Sequence, residues 1–422
     1  MARTGVLMVK LLNKVCGVDV HTEFIDCTIL ERGGSEDGAY RKFGTDIDSL
    51  LEFRDWVVSN GCERVAFEST GVYWMPVYDV LEGCVEVYLG NAYHIKHING
   101  KKTDEGDSHW VAHLCLADLI KPSRIFHQEE RSLRTLTRLR ASFVEDKTRC
   151  KNRMHKGLQS CHIKLSAALK DIFGKSGRII INGLLDGEPV EDILERLPEK
   201  MRGKKEELRQ VLRNSLDPAN MLLIKECMGI LQVIEEKIEQ VEAEIRVMLR
   251  SRKEDLDILM SVPGISFVGA CTILGEMGDY RDFQDGDKLA CWAGLTPSVY
   301  QSADKLITGH ITKQGSRKLR WIMTEVAQAA ARAKNTRLQG FFRRVKSKKG
   351  YKTAVIALAR KMLCIIHHLL THREKYVEED YVKRKGYLKK GPATQAPSYE
   401  EMIQVLKEAD YIIYKKKPRR CT

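Results

Sequence analysis

The sequence predicts an α/β domain followed by largely helical regions, and three observations support this architecture. Strand-like and amphipathic helical segments alternate over roughly the first 120 residues. From Gln128 to Arg250 the pattern is almost wholly helical and charged. Apolar and basic helices follow. A chain of 422 residues is too long for one core, and we predict domains at 1–127, 128–250 and 251–375 and a basic tail at 376–422.

The first domain opens with strands. "KVCGVDV" and "EFIDCTIL", separated by "HT", predict a β-hairpin, and "AYRKFGT" predicts a third strand. "DIDSLLEFRDWVVSNG" predicts a helix with Gly61 just past its end. The strand "ERVAFE", a helix from about Val72 to Leu81, the strand "VEVYL" and a helix opened by Thr103 complete the domain. Antiparallel strands followed by β-α-β-α form a mixed order that matches ribonuclease H.

The second region contains long helices. Between Ile224 and Met248, apolar residues recur mostly at alternating spacings of three and four, which is typical of a coiled-coil seam. A long helix packed within its own chain explains the spacing equally well. If the seam pairs subunits, the protein is a homo-oligomer. The segment between Gly174 and Pro218 is rich in turn residues and predicts a loop-rich insertion.

The third region is predicted to be mainly helical. "LMSVPGISFVGACTILGEMGD" predicts two short apolar helices joined by a Pro-Gly turn, a helix-hairpin-helix-like start whose turn could offer N–H groups to a phosphate. A helix, a Gly/Pro loop, the basic segment "GHITKQGSRKLR" and a further helix follow.

Composition limits the function classes. Lys and Arg exceed Asp and Glu by 70 to 57, a net charge of +13, which favours a polyanionic partner. The twelve cysteines are scattered, as in a reducing cytosol, and indicate neither a disulfide framework nor a zinc site. His367 and His368 are expected to be packed. No secretory signal and no membrane-spanning apolar run is evident, so we expect a cytoplasmic protein without a membrane partner.

Four acids are placed for metal chemistry. Asp19 and Glu68 come at the ends of predicted strands, and Asp104 and Asp107 are three residues apart in "KTDEGDSHW". Like charges one helical turn apart repel unless a cation lies between them. Adjacent strand ends and one helix could therefore converge four oxygen donors on a pair of Mg²⁺ ions about 3.5–4 Å apart, the arrangement used to cleave phosphodiesters.

These segments resemble a known family. "GVDVHTE", "FESTGVYWMPV" and "KTDEGDSHWVAHL" look like the three acidic motifs of the DEDD transposases, which carry a RuvC-like N-terminal domain. "SVPGISFVGACTILGEMGDYRDFQDGDKLACWAGLTPSVYQS" with "GHITKQGSRKLR" resembles the C-terminal transposase domain of that family. The resemblance covers about 14 to 120 and 255 to 370.

The resemblance implies a mechanism. Family members excise and insert an insertion sequence, guided by a structured bridge RNA, and act on the element junction and a DNA target. A C-terminal serine attacks DNA to form a phosphoserine link while the acidic tetrad of a partner subunit holds Mg²⁺. By position in the resemblance, that serine is Ser302; from the residues alone, Ser298, Ser316 and Thr312 are equally plausible hydroxyls. The oligomer is then a dimer or tetramer in the prokaryotic cytosol or nucleoid, and the basic residues Lys313, Arg317, Lys318 and Arg320 contact the DNA backbone.

Three departures from the family and two alternatives accompany this hypothesis. The long basic tail from Tyr376 onward falls outside the resemblance. Ser108 stands where the family often has Ala, and Ala303 where it often has Gly. One alternative is a RuvC-like resolvase that hydrolyses branched DNA with metal-activated water. The other is a nucleic-acid-binding protein without catalysis; the four intact acids argue against it.

Overall fold

The computed structural model describes residues 11–69, 71–91, 95, 106–302, 305–313 and 315–378, with the backbone alone at 299–302 and 305–308. The chain divides into two compact units, 1–126 and 127–422. The first combines a mixed sheet with helices and the second is mainly helical, which confirms the predicted fold class. The further boundary at 250 and the tail from 376 stay predictions.

The first unit contains a five-stranded sheet of order β3-β2-β1-β4-β5. Its strands are β1 (Lys14–Val20), β2 (Phe24–Glu31), β3 (Ala39–Gly44), β4 (Arg64–Glu68) and β5 (Glu86–Gly90). β1 pairs antiparallel with β2 and parallel with β4, and β5 extends the parallel part. The predicted strands and the mixed order are confirmed.

Helices cover both faces of this sheet. Helices α1 (Ile47–Ser59) and α2 (Trp74–Leu81) pack on one face, where Val18, Phe53 and Phe67 are buried. Helix α3 (Asp107–Leu116) packs on the other, against Val15 and Ala66. Since successive strand residues point to opposite faces, the odd-numbered residues of β1 face α3.

The second unit begins with a helical hairpin. Helices α4 (Gln128–Ser160) and α9 (Pro218–Met248) run antiparallel, because their contacts pair early residues of one with late residues of the other. Arg140 Nε lies 2.7 Å from Glu242, and Cys150 Sγ lies 3.1 Å from the carbonyl of Cys227. Ile224, Leu231 and Ile245 of the seam are buried. Of the two explanations of the spacing, packing within the chain is therefore the one the structure realises.

The predicted loop-rich insertion is wrong. Between Gly174 and Pro218 the chain forms α6 (Lys175–Leu185), α7 (Val190–Glu195), a 3-10 turn (Glu199–Lys204) and α8 (Lys205–Val211), preceded by the short α5 (Leu165–Ala168). Ile180, Ile193 and Leu208 join a separate hydrophobic core with the ends of α4 and α9. The turn residues lie between short helices, and the buried apolar residues of those helices stabilise the segment as helical.

The remaining chain forms a second helical core with a small hairpin. Its elements are α10 (Lys253–Ser261), α11 (Phe267–Met277), a 3-10 turn (Tyr280–Asp282), α12 (Gly286–Trp292), β6 (Pro297–Ser302), β7 (Lys305–Ile311), α13 (Arg317–Arg332), α14 (Arg337–Lys349) and α15 (Tyr351–His372). The two strands replace what the sequence predicted as a loop. A β-carbon added at Gly264 would lie 2.5 Å from the Ala330 nitrogen, so the Pro-Gly turn packs closely on α13.

Helix α15 corrects one expectation. It is long and apolar enough to cross a membrane by length and composition, although no such run was anticipated. Leu358, Met362 and Ile366 are buried in the core, as in a core helix of a folded domain. His367 is also buried, 3.0 Å from the carbonyl of Phe283, and is packed as predicted. His368 is exposed, so the prediction that it is packed is wrong. The cysteines that the structure describes are free thiols.

Candidate active site

The acidic site of the first unit depends on a close approach of α3 to β1. A β-carbon added at Gly17 would lie 2.2 Å from both the Ala112 nitrogen and the Ser108 carbonyl oxygen. Only glycine therefore lets α3 lie directly on the sheet. The neighbouring small residue Ala66 is buried under the same helix. This contact fixes Asp107, the first residue of α3, beyond the end of the packed region.

A hydroxyl pair strengthens this contact. Ser108 and Thr28 are both buried, and their side-chain oxygens lie 2.9 Å apart. A buried hydroxyl needs a partner to offset its lost hydration. Ser108 stands where the family often has alanine, and its hydroxyl has a hydrogen-bond partner in Thr28 on β2.

Strand register aligns the carboxylates. Val18 pairs with Phe67 in the parallel register of β1 and β4, so Asp19 and Glu68 each follow by one residue and share the face covered by α3. Asp26 pairs directly with Asp19 on β2. Three neighbouring strands therefore place Asp26, Asp19 and Glu68 in one row across the sheet.

The helix start differs from the prediction. Helix α3 begins at Asp107, after the non-helical cap Gly106, not at Thr103. Asp104 lies outside the described residues. The predicted arrangement of Asp104 and Asp107 one helical turn apart therefore stays a prediction. Glycine is a favoured residue at the N-cap position, which explains why α3 starts directly after Gly106.

Electrostatics connect Asp107 to Asp19. Burial raises the pKa of Asp19; the neighbouring His21 opposes this effect, and the nearby carboxylates of Asp107 and Asp26 add to it. His21 Nε2 lies 3.0 Å from Asp19 and 3.7 Å from Asp26. Asp19 is thus a half-buried carboxylate surrounded by other carboxylates.

Sequence reasoning missed part of this cluster. His21 and Asp26 were not singled out, nor was Tyr40, whose hydroxyl donates to Asp26 Oδ1 over 2.5 Å. That bond raises the pKa of Tyr40 to about 12. The missed signal was the hairpin register, because a short connection after Asp19 places the acid seven positions later directly opposite.

The chemistry of these residues fits a divalent cation. Their carboxylates are hard oxygen donors, the type that Mg²⁺ prefers. A cation would offset the burial and the neighbouring negative charges that raise the pKa of Asp19. Within the described ranges, no three potential ligands already converge on one point. The fourth predicted acid, Asp104, is outside those ranges.

In the second unit, Ser302 ends strand β6. It pairs with Lys305 across the β6–β7 hairpin, so it lies at a hairpin tip and not in an irregular loop. Its neighbour Ala303 is outside the described residues. Two serines that the sequence could not distinguish from it have other partners: Ser298 donates to the His310 carbonyl over 3.2 Å, and Ser316 caps α13.

The four basic residues after the hairpin have different surroundings. Lys313 is exposed in a left-handed conformation (φ 57°), and Arg317 is exposed at the start of α13. Lys318 Nζ lies 3.4 Å from Glu145 of α4. Arg320 Nη1 donates to the carbonyls of Ala293 and Gly315, each over 3.1 Å. Arg320 therefore holds the preceding loop in place.

A fully buried carboxylate anchors the same segment. Arg138 Nε lies 2.7 Å from Glu276 on α11, and Arg134 lies 3.3 Å away. Ser316 Oγ donates to Glu276 over 2.6 Å while accepting from the Leu319 N–H. Burial alone would raise the pKa of Glu276, but Arg138, Ser316 and Arg134 outweigh it and lower that pKa. Glu276 joins α4, α11 and the start of α13.

Comparisons with known proteins give family matches in both parts of the chain. A transposase model of the DEDD IS110 type matches residues 16–163, and a model of the "Transposase IS116/IS110/IS902 family" matches 256–343. The chain is 29% identical over 161 residues to a "Probable family 20 transposase" of Pseudomonas aeruginosa, covering 36% of this chain and 46% of that protein.

Two further relatives are similar over shorter stretches. The "Transposase for insertion sequence element IS1111A" of Coxiella burnetii is 28% identical over 34% of this chain and 40% of its own length. A "Putative transposase y4pF/y4sB" of Sinorhizobium fredii is 31% identical over 28% and 32%. The chain thus spans less than half the length of these relatives. The two family models together cover more than half of the chain, which belongs to the IS110-type DEDD transposases.

Proposed function

We propose that this protein is a DNA transposase that excises and inserts an insertion sequence by cutting and rejoining strands at the element junction and at a target. One observation carries the proposal. Asp19 and Glu68 occupy adjacent positions on neighbouring parallel strands, and Asp107 begins the helix packed on the same face. Membership of a transposase family supports this function and implies DNA binding.

The DEDD transposase domain implies dependence on a divalent metal ion. We assign Mg²⁺, as two ions, to Asp19, Glu68, Asp104 and Asp107. Bound there, the metal supplies charge stabilisation at the phosphate and activates the attacking oxygen. The protein holds the carboxylates in register through the sheet and through the α3 contact at Gly17.

The attacking group is the hydroxyl of Ser302. Its Oγ–P bond forms as the bond from phosphorus to the leaving sugar oxygen breaks, and the hydroxyl proton is lost while the leaving oxygen gains one. The ester conserves the phosphodiester energy, so a sugar hydroxyl of another strand can displace the serine and complete the exchange. Activation is required because a serine hydroxyl is a weak nucleophile at neutral pH.

The basic segment after the hairpin holds the DNA backbone. Helix α13 has no acid in its first turn, and Arg317 and Lys318 add positive charge to the positive end of its dipole. That arrangement costs helix stability but favours phosphate. Lys313 and Arg317 contact phosphates directly, whereas Arg320 acts by positioning the loop between Ala293 and Gly315.

Guidance and assembly complete the proposal. A bridge RNA selects the DNA sequences, and the protein acts as a dimer or tetramer in the prokaryotic cytosol or nucleoid. The tetrad and Ser302 of different copies cooperate. Since Ile224, Leu231 and Ile245 are buried within the chain, the pairing surface lies elsewhere than these seam positions. Light scattering of the complex with RNA and DNA should give at least twice the monomer mass.

A covalent-adduct assay tests the chemistry. Protein, guide RNA, Mg²⁺ and a labelled, nicked target are incubated and then denatured. Wild type should give a species that migrates as protein plus DNA. Ser302→Ala should eliminate it, and Asp19→Asn should eliminate cleavage as well. Ser298→Ala is the matched control and should form the adduct.

The outcomes separate the alternatives. Efficient cleavage without an adduct would replace the transposase by a resolvase that uses metal-activated water. Cleavage by Asp19→Asn at the wild-type rate would remove the carboxylates from the mechanism. Nucleic-acid binding without any cleavage by wild type would favour a non-catalytic binding protein.

A further inference from the structure

Two aromatic side chains are exposed along one side of the second unit. Trp321 on α13 is 47% exposed, and Tyr351 at the start of α15 is 48% exposed. Gln328 lies seven residues after Trp321, which is two helical turns and about 10 Å along the same face of α13. The Tyr351 hydroxyl lies 3.3 Å from Gln328 Oε1. Trp321 and Tyr351, with Gln328 between them, are called the aromatic strip below.

The Tyr351 ring of the strip is held in a defined orientation. Phe342 packs edge-on against Tyr351, with ring centroids 5.6 Å apart and planes at 85°. The bond to Gln328 fixes the other end of the tyrosine. Trp321 projects from a helix whose opposite face is buried at Ile322 and Met323. A ring held as Tyr351 is held loses little conformational entropy when a flat ligand stacks on it.

Positive charge flanks the strip. Arg317 and Lys318 precede Trp321 by about one turn, and Lys346 Nζ lies 5.8 Å from the centre of the Tyr351 ring. Lys348 and Lys349 complete the last turn of α14, immediately before Tyr351. One exposed acid, Glu325, lies a turn beyond Trp321. Exposed aromatic rings among cations are the combination that binds unpaired nucleic acid, by base stacking and phosphate contacts.

We propose that the aromatic strip binds an unpaired DNA strand, with bases stacked on Trp321 and Tyr351 and phosphates held by Arg317 and the α14 lysines. Paired bases in a duplex do not offer their faces, so the strip selects unpaired strand. The choice of DNA rests on the proposed function. Helix α13 follows the β6–β7 hairpin that carries Ser302 in the chain, so the strip begins on the element next to the proposed cleavage residue.

Equilibrium binding tests the proposal without catalysis. Full-length protein is titrated, in EDTA and moderate salt, against a fluorescein-labelled unstructured DNA oligonucleotide of about 12 nucleotides, within the site sizes of such proteins. Trp321→Ala and Tyr351→Ala should each weaken binding about tenfold, the size expected for losing one stacked base. Trp321→Phe keeps a ring and should bind within about twofold of wild type. Glu325→Gln should bind more tightly.

A second readout reports on the strip itself. Binding should quench tryptophan fluorescence, and Trp321→Phe should remove most of that quenching although it retains affinity. A duplex of the same sequence should bind equally well to wild type and to the two alanine variants, which also shows that the exposed substitutions leave the fold intact.

Three results would overturn the proposal. Unpaired DNA could bind the Trp321→Ala/Tyr351→Ala double variant as tightly as wild type. The duplex could lose affinity to the same extent as the single strand. RNA of the same sequence could show the loss while DNA does not. The binding assay measures no cleavage. A negative result in it therefore does not affect the proposed serine chemistry, and a negative result in the adduct assay does not affect the proposed binding to the strip.

Discussion

Asp19 and Glu276 are partly or fully buried carboxylates in opposite surroundings. Asp19 has Asp26 and Asp107 near it, and its pKa is raised by burial and by those charges against the effect of His21. Glu276 is enclosed by Arg138, Arg134 and Ser316, and its pKa is lowered although burial opposes this. Asp19, which lies among other carboxylates, is available to bind a cation. The charge of Glu276 is already balanced by arginines. The first belongs to a reactive site and the second to the framework.

The largest stability effect is expected at Glu276. Glu276→Ala leaves Arg134 and Arg138 without their shared carboxylate and removes the partner of Ser316. Breaking a buried ion pair in this way costs about 3–5 kcal/mol. Glu242→Ala is the matched control, since its pair with Arg140 is partly solvated, and it should cost about 1 kcal/mol or less. Denaturant unfolding measures both, and equal losses would contradict the framework role.

The pH dependence of the unfolding free energy tests whether the charge of Glu276 stabilises the fold. A lowered pKa means that Glu276 stabilises the fold above its unfolded pKa and that this contribution disappears as pH falls through the folded value. The stability difference between wild type and Glu276→Gln should therefore be greatest near neutral pH and shrink in acid. A difference that stays constant from pH 7 down to pH 3 would show that charge is not the cause.

Gly17→Ala should disturb the acidic site through packing. Its methyl group would meet the backbone of α3 at 2.2 Å, a contact that no side-chain rotation relieves. We expect a loss of about 1–3 kcal/mol and reduced cleavage, because α3 carries Asp107. Gly229→Ala, at a helical glycine with open space around it, should instead stabilise by roughly 0.5–1 kcal/mol. Thermal unfolding and the cleavage assay together measure the contrast.

A smaller effect is expected from the Thr28–Ser108 pair. Ser108→Ala leaves the Thr28 hydroxyl buried without this partner and should cost about 1–2 kcal/mol. Thr28→Val combined with Ser108→Ala removes both polar groups and should recover most of the loss. A double variant that loses the sum of the two single effects would contradict the pairing.

Much of the first unit could be predicted from sequence because its signals are local. The alternation in "KVCGVDV" and "EFIDCTIL" defines both strands and the face on which Asp19 lies. Predicting the row Asp26, Asp19 and Glu68 requires the register of the three strands, and for Asp26 this is the register of the β1–β2 hairpin. The start of α3 was misplaced because Gly106, not Thr103, caps the helix.

The second unit was less predictable because its determinants are distant in sequence. Glu276 is surrounded by residues from α4 and the start of α13, about 138 and 40 positions away. No sequence pattern near Glu276 predicts that cluster. The β6–β7 hairpin was also missed, since "PSVYQS" and "KLITGHI" are short and lie among glycine, proline and basic residues that favour a loop.

Metal-dependent unfolding of Asp19→Asn tests the central claim, that the crowded carboxylates of the first unit form a cation site. Wild type should gain thermal stability as Mg²⁺ or Mn²⁺ is added, because only the folded protein binds the ion. Asp19→Asn should lose that gain and, without metal, should be at least as stable as wild type, because a charge with a raised pKa has been removed. Glu52→Gln, an exposed change on α1, should respond to metal as wild type does. A variant Asp19→Asn that is stabilised by metal as fully as wild type would contradict the account.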